Sequence, residues 1–267
     1  MPASLSRIRH TISLLMLGCC LSTVGAQEPA PAIENPAPPV VTEPSAADFL
    51  DAVGNHTKAR WRLLFRGPPP TPPADRSRAA LILGTLIADS FLILQAGDAQ
   101  QFRNNNQDVL AYCRTLGLGE KLTPRLMTQG NLAEQTAWKE LRQALVDGHQ
   151  EALRLLREQK DEDLALLIDI GVGLRLLEIV SAIIIAAPES DMGPLGRESP
   201  PLLKLLQQDF TLITAEKREL PLLTRVCAVI DEACASWRDL DKTVITQAQA
   251  VKTNEKVKGL MQELITK

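Results

Sequence analysis

The chain has 267 residues, 32 of them acidic and 29 basic, for a formal charge of -3, and it is 45% hydrophobic but only 3% aromatic. So mild an acidic balance excludes the broad basic surface that general nucleic-acid binding requires. Abundant Ala and Leu with few aromatics favour helices over a β-rich fold, and the length is enough to bury a core.

Residues 1–26 have the layout of a secretory signal: Arg7, Arg9 and His10, an apolar run over 12–21, then Val24, Gly25 and Ala26. Cleavage after Ala26 is the expectation, giving an exported, periplasmic or extracellular protein with no transmembrane helix left. A lipoprotein acylated at Cys19 is the competing outcome, and Met16 and Leu17 are poor residues for that cleavage. Residues 27–44, dominated by Pro and Ala, bury too little to offset ordering and read as a flexible linker. Residues 45–267 are expected to form one helical domain.

Ser45 with Asp48 three residues on predicts a capped helix running towards Arg66. Its second half carries Lys58, Arg60, Arg62 and Arg66, interleaved with Trp61 and Phe65. This candidate basic contact patch suits an acidic partner or the headgroups of an anionic membrane surface; a solvated face with apolar stems is the plainer reading. A second, strongly apolar helix spans 79–96, where Ala80, Gly84 and Ala88 form a small-residue strip that admits another helix closely. The polar run 97–108 reads as a solvated helical continuation or a loop, with Asn104, Asn105 and Asn106 lowering helix propensity.

Apolar spacing resumes over 109–116, and a short helix is predicted over 123–129, ended by Gly130 and Asn131. A long amphipathic helix follows from Ala137 to near Lys160, then Asp161, Glu162 and Asp163 to cap the next. Further helices are expected from Ser199, from Pro221 and, capped by Asp241, to a C-terminus that frays.

The segment 163–187 is apolar on every face, so it must be buried in lipid or in protein. Its length permits a span, yet Asp169, Arg175 and Glu178 interrupt it. Each charge near a bilayer centre costs roughly 2.5 to 3.5 kcal/mol, which favours the centre of a soluble fold. Asp89, inside the other apolar helix, needs a partner, and Arg175 is the obvious one. Asp89, Asp169, Arg175 and Glu178 are therefore a candidate buried polar network, either a structural ion-pair cluster or the lining of a ligand pocket.

No motif for nucleophilic, nucleotide or metal chemistry stands out. His56 and His149 are the only histidines after the signal, and neither follows a Glu by three residues. Cys227 and Cys234 sit too far apart along one helix to pair with each other, so a disulfide would need Cys113. The residues thus predict an all-α, irregular bundle of about seven or eight helices around the buried hydrophobic helix 163–187. No catalytic residue, metal or cofactor is assigned. Function is read as a non-enzymatic interaction or scaffold module of the cell envelope. The alternative is a carrier of a small or lipidic ligand in a pocket between helices near Asp89 and Arg175.

Overall fold

Two apolar helices crossing at glycine form the middle of the molecule. In a computed structural model that describes residues 45–187, 199–237 and 245–266, these are α2 (Arg76–Ala96) and α6 (Glu162–Ala186), flanked by α1 (Ala46–His56), α3 (Ala99–Thr115), α4 (Gly119–Glu134) and α5 (Trp138–Glu158). After α6 come α7 (Ser199–Leu212), the single turn α8 (Ala215–Arg218), α9 (Pro221–Trp237) and α10 (Gln247–Thr266), and a 3-10 turn over Trp61–Leu64 joins α1 to the strap leading into α2. The described residues fall within one unit, Glu43–Lys267. The expected signal and linker, Cys19 and Asp241 lie outside them.

The architecture is an irregular all-α bundle with ten helices among the described residues, more than the seven or eight expected, and its centre is a pair. α2 is buried over almost its whole length from Ala79 to Ile93. By length and composition it is also the one described helix apolar enough to cross a membrane, and 89% of that window is covered by protein. The pair packs closely because Gly84 and Gly171 face each other. A Cβ on Gly84 would lie 2.1 Å from the Ile168 carbonyl oxygen, and one on Gly171 would lie 2.2 Å from that of Leu81. Gly173, two residues on and so on roughly the opposite face of α6, makes room for Leu206 of α7 instead.

Around this pair, α3, α4 and α5 close one side, and α7, α9 and α10 close the other along α6. Buried polar groups fix the outer helices at a few points. The Asn254 amide of α10 donates to the Glu178 carbonyl and to Ser181 Oγ, each at 3.0 Å, and the Trp237 indole donates to Thr253 Oγ1 at 2.7 Å. Asp163 at the start of α6 accepts from the Thr214 amide and hydroxyl and pairs with Lys217 at 3.0 Å. Burial would raise this carboxyl, and those partners outweigh it, holding it below the ordinary value.

Several boundaries differ from expectation for local reasons. α1 keeps its Ser45–Asp48 capping box but stops at His56, where Thr57 turns extended, so the predicted long helix to Arg66 does not form. The run 97–108 is helical: Gly97 ends α2 at a φ of +60°, the Asp98 side chain caps α3, and the asparagines bond outward to neighbours. Asn106 donates to the Leu126 carbonyl at 2.8 Å, which offsets the low helix propensity of the triplet. Pro124 and Gly130 lie inside a continuous α4. Asp161 makes no cap bond and instead reaches Arg76 at 2.7 Å. A Thr246–Gln249 capping box opens α10, whose Val257, Leu260 and Leu264 are buried, so it docks through its last turns.

Candidate functional site

Three of the four predicted network residues converge, and a basic-patch residue joins them. Arg175, 2% exposed, projects from α6 against Asp89 of α2. Its Nε donates to Asp89 Oδ1 at 2.7 Å, its Nη2 donates to the Leu64 carbonyl at 2.6 Å, and its Nη1 lies 2.8 Å from Glu178 Oε2. The other Asp89 oxygen accepts from Arg66 at 2.6 Å and 3.2 Å. Two guanidiniums against two carboxylates make a neutral cluster, so burial leaves no uncompensated charge. Burial alone would raise the Asp89 carboxyl, but Arg175 and then Arg66 hold it below the usual carboxylate value. Desolvation would lower the buried Arg175 guanidinium, but the Asp89 and Glu178 carboxylates hold it above its ordinary value.

Asp169 is not part of this cluster. Six residues separate it from Arg175, which on a helix is a rotation of about 600°, leaving it roughly 120° away around α6 and facing α5. There His149 Nε2 lies 2.9 Å from Asp169 Oδ1, out of line for a hydrogen bond. A His–carboxylate pair is part of a nucleophile-activating triad. No Ser, Thr or Cys hydrogen-bonds to His149 among the described residues.

The basic patch divides because α1 ends at His56. Arg66 turns inward to Asp89, Arg62 pairs with Asp98 at 3.4 Å on the surface, and exposed Lys58 and Arg60 have no ion-pair partner among the described residues. Lys58 and Arg60 instead rim a groove of about 370 Å³ whose floor includes Ala182, Ile183 and Ala186 of α6, with Leu63 beside it, 75% exposed. The Pro-rich strap beyond Arg66 is pinned a second time where the Tyr112 hydroxyl donates to the Pro70 carbonyl at 3.0 Å.

Between those two pins a second cleft, of about 340 Å³, opens between the strap and α3, lined by Phe65, Arg66, Asp89, Asn105 and Asp108 among others. The sequence pointed to a pocket between helices near Asp89 and Arg175; this cleft reaches Asp89 but is not lined by Arg175, and its α3 wall was not foreseen. The signal was a polar stripe of Gln101, Asn104, Asn105 and Asp108 at i, i+3, i+4 and i+7, readable only once that run is known to be helical.

Cys113 is a free thiol, so neither expected disulfide, to Cys227 or to Cys234, is formed. Burial pushes the Cys113 thiol up to about 12, which keeps it protonated and unreactive. Among the described residues no group of three His, Cys, Asp or Glu side chains is placed to hold a metal ion. Comparison with protein families, curated proteins and solved structures finds no match to this chain.

Proposed function

We propose that this is an exported, non-enzymatic interaction module of the cell envelope that docks on an anionic membrane surface through the segment linking α1 to the strap. One observation carries this: Lys58 and Arg60, without partners among the described residues, rim an apolar groove beside the exposed side chain of Leu63. Cations beside an apolar wedge match an anionic headgroup over acyl chain, and each Lys or Arg near such a surface contributes about 1 kcal/mol, falling with salt. Arg66 clamps the end of this segment to Asp89, which reduces the backbone ordering needed at the moment of contact.

The test is cosedimentation with phosphatidylglycerol-containing vesicles against phosphatidylcholine alone. Changing Lys58 and Arg60 together to Glu should abolish the preference for anionic vesicles while leaving the melting temperature in place; equal association of variant and wild type would refute the proposal.

A ligand carrier is the second function favoured by a specific feature, the cleft between the strap and α3 beside Asp89. Arg175 is not available to such a ligand, because its side chain is buried and shared among Asp89, Glu178 and the Leu64 carbonyl.

A further inference from the structure

We infer that the cleft between the strap and α3 binds a neutral, hydroxyl-rich ligand, a sugar unit of a glycan; this rests on the cleft being a ligand site at all. Its floor carries a pre-set acceptor. Asn105 is 5% exposed, and its amide nitrogen donates to the Leu86 carbonyl at 3.0 Å and to Ser90 Oγ at 2.8 Å. A carbonyl can only accept, so the amide cannot be turned round, and its oxygen has no donor among the described residues. Asn105 lines the cleft, so this oxygen is an oriented acceptor open to a donor there, solvent or a ligand hydroxyl.

One turn along α3, Asp108 is half-buried with no cation at ion-pair distance among the described residues, and burial raises its carboxyl above the ordinary value. The Gln101 and Gln107 amides lie at the sides of the same cleft, each offering both a donor and an acceptor. Across from them Phe65 and Pro69 supply an apolar wall.

That combination selects among ligand classes by charge. Arg66, the cation in the lining, is already spent on Asp89, so an anionic ligand would meet two carboxylates without a free guanidinium. A cation would gain Asp108 but lie against Arg66. A pyranose fits both constraints: its hydroxyls donate to the Asn105 oxygen and the Asp108 carboxylate and accept from the glutamine amides. Its C–H face covers the aromatic and proline wall. The volume of about 340 Å³ accommodates a mono- or disaccharide, and small-ligand pockets start at about 300 Å³.

Isothermal titration of the processed full chain with a panel of neutral mono- and disaccharides, with putrescine and galacturonate as charged controls, tests this. At least one neutral sugar should bind saturably, and the double variant Gln107→Ala with Asp108→Ala should weaken it at least tenfold without lowering the melting temperature. The Lys58→Glu, Arg60→Glu variant should bind it unchanged. No neutral sugar tighter than about 10 mM, or binding indifferent to the Gln107 and Asp108 changes, would overturn the inference. Binding of putrescine alone would overturn the sugar class while leaving a ligand site in the cleft; heat from no compound at all would remove the site as well.

Discussion

The chain between α1 and α2 contributes cations to two places of opposite character. At Arg66 a guanidinium is drawn into protein, meets Asp89 at 2.6 Å, and shares that carboxylate with Arg175. Some six to eight residues earlier, Lys58 and Arg60 stand exposed over an apolar groove. All belong to one basic run in the sequence, and their fates differ because only Arg66 has a buried carboxylate within reach. Charge becomes structural where desolvation forces pairing and stays available where water already satisfies it.

The sharpest way to break the buried side of that contrast is Asp89→Ala. It leaves two guanidiniums against the single carboxylate of Glu178, one charge uncompensated beside the core, and should cost about 3 to 5 kcal/mol in urea unfolding; a midpoint like wild type would mean the cluster is hydrated. Next in size is Gly84→Ala. The added methyl has the Ile168 carbonyl in its place, and forcing α2 and α6 apart should cost about 1 to 3 kcal/mol. Unchanged thermal unfolding would show that the helices do not cross there.

Acid should act on the cluster in a defined direction. The folded Asp89 value is depressed, so its stabilisation is fully present above the unfolded carboxyl value near 4 and is lost as pH falls through the lower folded value. Urea midpoints measured between pH 6 and 2 should therefore fall at the acid end, and Asp89→Asn should flatten part of that fall. A variant with the wild-type slope would assign the acid sensitivity elsewhere, Asp163 being another carboxylate with a depressed value. The smallest effect is expected on the exposed side: Lys58→Glu with Arg60→Glu should change stability by less than about 0.5 kcal/mol, and a larger loss would show that these cations are holding the fold.

The all-α bundle and its most apolar segments were legible in the sequence because hydrophobicity on every face admits few arrangements. The strip at Ala80, Gly84 and Ala88 marked the close crossing, and Asp89 pointed to Arg175, since a carboxylate in an apolar helix demands a cation. Asp169 was misplaced because counting charges on a segment ignores rotation, and six residues carry it to the α5 face. Arg66 was assigned to the surface because nothing local to residues 57–65 reveals that the helix stops and the chain folds back over α2. The cleft lining was hidden by propensity: Asn105 and Asn106 disfavour a helix locally, and their bonds to Leu86, Ser90 and Leu126 are tertiary.

A double-mutant cycle between Arg66 and Asp89, read as urea-unfolding free energies, probes the joint on which both faces of the segment depend. If Arg66 clamps the strap through that carboxylate, the Arg66→Ala and Asp89→Ala effects should couple by more than about 1 kcal/mol. Additivity to within about 0.5 kcal/mol would mean the two side chains do not meet and the segment is not anchored as described.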